Sequence, residues 1–251
     1  MRLCSRDALG LNDETMTRSR LFHLLKNHPF FSHRESCTGG LAPLVMCLMK
    51  RRLALLVLCL LPAMSFAESP ATAPKVKLKT NLGEIVLELN PKAAPVTVEN
   101  FLGYVKKKHY DGTVFHRVIN GFMIQGGGFA NTGGKLTEKP SGKGIVNESQ
   151  NGLKNDVYTI AMARTSDPNS ATAQFFINVS NNAMLNYPGN GGYAVFGKVI
   201  SGKEVVDKIK SVSTTTATLA MIHPVTGQKL EMPAQDVPVE KIVIESATVV
   251  E

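Results

Sequence analysis

The chain has 251 residues, enough for a sizeable core in one or two domains. Its formal net charge of +8 comes from 28 Lys+Arg against 20 Asp+Glu, a balance that raises nucleic acid or an anionic membrane as partners. The position of that charge argues against both.

Residues 1–48 show no sustained amphipathic period and hold a scatter of Arg, His and Cys. From Met49 the chain reads MKRRLALLVLCLLPAMSFA. Lys50, Arg51 and Arg52 make a positive n-region, Leu53 to Leu61 a short apolar run, and Ser65-Phe66-Ala67 a small-x-small site. This is the layout of a secretory signal peptide, and the run is shorter than the roughly 20 residues of a membrane span. The expectation is a true start at Met49, an over-extended and disordered 1–48, a signal peptide over 49–67 cleaved after Ala67, and export to the periplasm. A genuine disordered extension and a retained signal anchor are the alternatives. Residues 1–67 hold 9 Lys+Arg and 4 Asp+Glu, or +5, which leaves 19 against 16, or +3, for residues 68–251. The case for nucleic acid thereby loses its support. Cys4, Cys37, Cys47 and Cys59 all lie upstream. The remainder has no disulfide, thiolate nucleophile or Cys metal site, which suits an oxidising compartment.

Residues 68–75 read as a flexible Pro/Ala-rich leader and 76–251 as one domain. Val76–Lys79 and Glu84–Leu89 alternate around Asn81-Leu82-Gly83, predicting a hairpin with one buried face. Pro95 to Lys107 predicts a helix: Pro suits the first turn, Val98, Phe101, Leu102 and Val105 form a stripe, and lysines close the C-terminus. Val114 to Ile119 predicts a strand, Asn120-Gly121 a turn in which both residues tolerate positive φ, and Phe122 to Gln125 the returning strand. This hairpin sets a lone arginine, Arg117, near the apolar Phe122 and Met123. Gly126 to Gly144 reads as a long surface loop. It fails as a phosphate-binding P-loop, because Leu136 follows Gly134-Lys135 and Phe129 holds the first Gly position. The dinucleotide-binding pattern G-x-G-x-x-G lacks its βαβ setting, so the glycines are assigned to a bend or a close backbone approach. Further strands are predicted at Val157–Ala163, Gln174–Val179, Ala194–Ile200 and Lys241–Val249, with a second helix over Lys203–Val212. Within Gln174–Val179 the two phenylalanines point to opposite faces. Ser213 to Pro238 yields no assignment. Many strands with two helices point to a closed, mostly antiparallel barrel.

Beyond residue 67 the histidines are His109, His116 and His223; none forms an H-x-x-x-H pair, so no metal site is expected. No G-x-S-x-G elbow is present. Gln125 and Gln174 carry amides that both donate and accept, as a site holding a peptide backbone requires; buried structural amides are the alternative.

FHRVINGFMIQGGGF, followed by AMAR, AQFFINV and GYAVFGKV, resembles the cyclophilin-type peptidyl-prolyl cis/trans isomerases, most closely their exported bacterial branch. The resemblance covers roughly Val76 to Val212 and the last strand. It implies an eight-stranded antiparallel β-barrel closed by two α-helices. It further implies that Arg117 is catalytic, that Phe122, Met123, Phe176 and Leu185 enclose the substrate proline, and that Gln125 and Gln174 hold backbone groups. Ala163 and the backbone of Arg164 would line the groove, with Tyr193 at the rim where many relatives carry histidine. Asn120 stands where a proline is common, and the 164–173 loop is longer than in many relatives, with Arg164 where Asn is usual. Met184 takes the place of a tryptophan that in eukaryotic relatives contacts cyclosporin, so weak cyclosporin binding is expected.

The reaction so implied needs no cofactor. An X-Pro amide resists rotation by ~18–20 kcal/mol through resonance, and uncatalysed exchange takes roughly 10–100 s. A guanidinium aimed at the proline nitrogen stabilises the twisted amide, whose nitrogen lone pair is free, more than the planar one. The expected partners are proline-containing segments of exported proteins during folding, with no nucleic acid, no membrane insertion after signal removal and a monomeric state. The competing reading is a chaperone or adhesion module that binds proline segments in the same groove.

Overall fold

The computed structural model describes residues 73–222 and 227–250. The expectations of an over-extended 1–48, a signal peptide over 49–67 and a flexible leader fall almost wholly on residues 1–72, which lie outside the described residues, as does His223.

Strands β1 (Lys75–Thr80) and β2 (Gly83–Leu89) form the predicted first hairpin, and their alternate residues Val76, Leu78, Ile85, Leu87 and Leu89 are buried. Helix α1 (Pro95–Lys106) follows, burying Thr97, Val98, Phe101 and Val105. Glu148 supplies its missing N-terminal cap from a distant loop, accepting the backbone N–H groups of Val96 and Thr97. Strands β3 (Thr113–Ile119) and β4 (Met123–Thr132) make the central hairpin. At its turn only Gly121 enters the left-handed region, at φ +77°, so Asn120 contributes ordinary turn geometry rather than positive φ. Then come β5 (Lys135–Glu138), β6 (Thr159–Met162), β7 (Phe175–Asn178), β8 (Val195–Ser201) and α2 (Lys203–Lys210). Strands β9 (Thr214–Ile222), β10 (Lys229–Pro238) and β11 (Val243–Val250) complete the chain.

The sheet runs β10-β9-β5-β4-β3-β11-β1-β2-β8-β6-β7, and a further pairing of β7 with β4 closes it. The strands from β4 round to β7 are therefore an eight-stranded antiparallel barrel with two helices, as expected. Its interior is filled by Leu78, Ile85, Phe101, Tyr110, Phe115, Ile124, Phe175 and Phe196, among others. The helices sit against this core through Phe101 of α1 and Val206 and Ile209 of α2.

One expectation needs correction, and one unassigned segment gains its structure. Gly126 to Gly144 is not a loop throughout: β4 continues to Thr132, turns at Gly133-Gly134 and returns as β5. The expectation that its glycines allow a bend or a close approach agrees with the structure: Gly133 and Gly134 make the turn, and a Cβ at Gly127 would lie 2.9 Å from the rings of Phe175 and Tyr110. The unassigned Ser213–Pro238 is the β9–β10 hairpin, which lies outside the barrel wall. It joins β4 through β5, by a parallel β5–β9 pairing of Leu136 with Leu219. A second small core of Val114, Phe129, Leu136, Leu219 and Val237 packs it down. The hairpin begins and ends at one place, where the Val239 N–H donates to the Ser213 carbonyl at 3.0 Å.

Candidate active site

Strict alternation along β3 would bury Arg117 with Phe115. The pairing of β3 with β4 slips between these two residues: Phe115 opposes Gly126, and Arg117 opposes Gln125. His116 is the extra residue of a β-bulge, which shifts the facing of every residue after it. Phe115 and Val118 both enter the barrel core, while Arg117 comes out, with its side chain 45% exposed.

From Arg117 a row of directly opposed residues crosses five strands. Arg117 on β3 pairs with Gln125 on β4, and Gln125 with Phe176 on β7. Phe176 pairs with Ala161 on β6, and Ala161 with Val195 on β8. Opposed residues share a face. The row therefore grades from a cation through an amide to an apolar patch, and strand spacing sets Arg117 roughly 10 Å from Phe176. Met123, Ala161, Phe176 and Val195 form the buried floor of that patch, with Ile119, Phe122, Leu153, Ala163, Leu185 and Tyr193 around it. Phe176 and Tyr193 meet edge to face at 5.7 Å.

The amides act together. Gln125 Nε2 donates to Gln174 Oε1 at 3.0 Å, which leaves each amide further groups to offer. Gly128 makes room for them, as a Cβ there would lie 2.4 Å from Gln174 Cγ. Gln125, Gln174, Ala163 and Arg164 line a cavity of about 900 Å³ that runs on toward Lys139–Gly144 and the 165–172 loop.

Of the residues expected here, Phe122, Met123, Ala163, Phe176, Leu185 and Tyr193 share one patch, and Gln125 and Gln174 border it. Met184 does not join them: it sits on the single-turn helix Ala183–Leu185, 74% exposed. Arg164 contributes more than backbone. Its guanidinium stacks 4.3 Å over the Tyr193 ring and donates to the carbonyls of Thr165, Asn190 and Gly192.

Two features were missed from the sequence. Asn155, Asn178 and Asn182 are buried beneath the patch and bonded in series. Asn182 Nδ2 donates to the Phe122 carbonyl at 2.7 Å, and Asn155 Nδ2 to those of Leu185 and Tyr193, so the chain of amides fixes three pocket residues. The signal was an asparagine at the end of a wholly apolar strand, in QFFINV. The other feature is Asp236 of β10, whose Oδ2 lies 3.9 Å from Arg117 Nε.

His116, by contrast, faces the second core, 4.6 Å from the Phe129 ring, with Nδ1 unpartnered. Burial pushes its pKa down to about 4, and the adjacent Arg117 charge acts in the same direction. It is a neutral packing residue, away from the row.

The arrangement can grip an extended polypeptide by its backbone and bury one apolar ring beside a guanidinium. Known proteins are similar to this chain in sequence and in fold. The family "Cyclophilin type peptidyl-prolyl cis-trans isomerase/CLD" matches residues 75–249. Peptidyl-prolyl cis-trans isomerase cyp18 of Streptomyces antibioticus is 54% identical over 178 residues, 69% of this chain and 97% of that protein. Peptidyl-prolyl cis-trans isomerase B of Escherichia coli K12 is 49% identical over 180 residues, 70% of this chain and 99% of that protein. Isomerase A of Dickeya dadantii is 46% identical over 203 residues, 80% of this chain and 98% of that protein. A crystal structure of a cyclophilin-type isomerase from Cryptosporidium parvum superposes with a TM-score of 0.54 at 26% identity, covering 71% of this chain and 98% of that one. A barrel of this closure, carrying this motif over nearly the whole length of such relatives, belongs to the cyclophilin-type peptidyl-prolyl cis/trans isomerases.

Proposed function

We propose that this isomerase works on exported proteins during their folding, with Arg117 as its catalytic residue. The observation that carries the assignment to Arg117 is the row of opposed residues, in which one guanidinium faces the same side as a paired amide and an apolar patch. The proline ring of the substrate lodges against Met123 and Phe176, with Phe122, Leu185 and Tyr193 as walls. Gln125 and Gln174 hold the adjoining backbone, so that the ring stays fixed while the preceding residue rotates. Arg117 donates toward the proline nitrogen as it pyramidalises. The bond thus strengthens along the reaction coordinate, which lowers the barrier rather than deepening the bound state. No proton is transferred and no group titrating near neutrality is required. A related structure from Cryptosporidium parvum was determined in the presence of the dipeptide Ala-Pro, which fits a groove of this kind.

Export rests on the sequence: three basic residues, an apolar run and Ser65-Phe66-Ala67 ahead of a cysteine-free remainder. A periplasmic product starting at Glu68 follows, and the mass of the natural protein tests it.

The activity assignment is tested with a proline tetrapeptide. Arg117→Ala is expected to lower kcat/KM by about 100-fold, the scale for losing one preorganised donor at a developing charge, with little change in stability. An unchanged rate would remove Arg117 from the mechanism. Suppression of aggregation that survives this substitution would favour the binding-module reading.

A further inference from the structure

The β9–β10 hairpin reaches the groove at two places. Its far end contributes Met221, Ile222 and Gly227 to the wall of the cavity shared by Gln125, Ala163, Arg164 and Gln174. That end is pinned to β5, where Glu138 Oε2 accepts the Ile222 N–H at 2.8 Å. Near the other end, β10 runs beside β3 and delivers Asp236 to Arg117.

That delivery depends on a local irregularity. The β9–β10 register slips between Ala234 and Val237, leaving Gln235 and Asp236 outside the regular pairing. Asp236 sits in the left-handed region at φ +61°, which few residues with a Cβ adopt and which aspartate tolerates better than most. A bulge re-aims a side chain. Here it leaves Val237 fully buried in the small core while Asp236 faces the arginine.

The distance and exposure define what Asp236 can do. At 3.9 Å the contact is an ion pair rather than a hydrogen bond, and the two side chains are 45% and 38% exposed. A pair of this kind holds a guanidinium only weakly. Asp236 therefore leaves Arg117 free to engage substrate, yet it sets a negative charge at the edge of the groove with open lone pairs. A substrate side chain entering beside Arg117 meets both charges. Arg117 attracts an acidic one and repels a basic one, Asp236 does the reverse, and Asp236 therefore moves the balance toward basic side chains.

We propose that Asp236 is a specificity-determining residue, which biases this isomerase toward proline segments flanked by Lys or Arg and against those flanked by Asp or Glu. The proposal rests on Arg117 marking the reaction centre. Two tetrapeptide series test it, carrying Lys, Ala or Glu either one or two residues before proline, with wild type and Asp236→Asn compared at low salt. In at least one series the wild type should favour Lys over Glu in kcat/KM. Asp236→Asn should shrink that preference by about fivefold, the worth of one partly screened charge contact, and leave the Ala peptide within about twofold. Added salt should shrink the wild-type preference in the same way. A Lys-to-Glu ratio unchanged by Asp236→Asn in both series overturns the proposal. So does an equal loss on all three peptides, which would make Asp236 a positioning residue for Arg117. Wild type inactive on the Ala peptide would instead remove the isomerase reading underneath.

Discussion

Gly128 has no space for even a methyl group, and the atoms in the way belong to a side chain rather than to backbone. An added Cβ would lie 2.4 to 2.7 Å from Gln174 Cγ, Cδ and Nε2. The side chain can swing away at modest cost, which breaks its bond to Gln125. Gly128→Ala should therefore leave stability within about 1 kcal/mol while kcat/KM falls about tenfold, measured by urea unfolding beside the peptide assay. Arg164 gives the opposite balance. It props Tyr193 by stacking and satisfies three loop carbonyls, so Arg164→Ala should raise KM severalfold and cost about 1 kcal/mol, with kcat nearly kept. Lysine should not restore it, as one ammonium cannot both stack flat and donate in a fork. A kcat collapse with unchanged KM would contradict this role. At this scale the sequence was informative about which residues come together and silent about their aim. Arg117 was legible as a lone cation among apolar residues. The bulge at His116 that turns it outward leaves no composition signal, and the left-handed backbone of Asp236 leaves none either.

Among the elements, two walls of the apolar patch, Leu185 and Tyr193, depend on residues 179–194 between β7 and β8, a segment whose regular structure is limited to single helical turns. The amides of Asn155, Asn178 and Asn182 hold this loop and the start of β4 from below. Replacing Asn182 with Ala removes the donor to the buried Asn178 Oδ1 and one of the two donors to the Phe122 carbonyl, which keeps the Val179 N–H. The expected cost is about 1–3 kcal/mol, with a KM increase larger than any change in kcat. Equal thermal midpoints for variant and wild type would show that these bonds contribute nothing. Most elements were readable because their apolar periods match a half-buried strand or a one-sided helix, as in β1, β2 and α1. The exceptions share a cause. The outer half of β4 is rich in glycine because large rings and Gln174 fill the space its side chains would occupy. In β9 and β10 much of both faces meets solvent, and Leu219, Val237 and Pro238 are the residues they bury. A strand without a continuous buried stripe has no alternation to detect, though the β-branched run Thr214–Thr216 was a usable hint.

For the whole molecule, acid sensitivity follows from one buried ring. His116 stays neutral in the fold until about pH 4, whereas the unfolded chain takes up the proton near its ordinary value of 6.5. Between these values the unfolded state binds more protons, so stability rises with pH across that window and falls on acidification through it. The group contributes a loss of about 3 kcal/mol by pH 4. His116→Gln should flatten the difference in urea stability between pH 7 and pH 4.5 relative to wild type, and parallel slopes would locate the sensitivity elsewhere. The barrel was foreseen as a closed, two-helix architecture; its three-stranded extension was not. The meeting of Ser213 and Val239 at the base of that extension has a consequence for how such a protein can change. Barrel closure runs through β7 and β4 and does not pass through the hairpin. A different excursion can therefore be spliced between the same two residues without breaking that closure, provided it again supplies a partner beside Arg117 and apolar cover for Val114 and Phe129. Client preference and chemistry then become separately heritable, and an engineer could exchange one as a cassette while keeping the other.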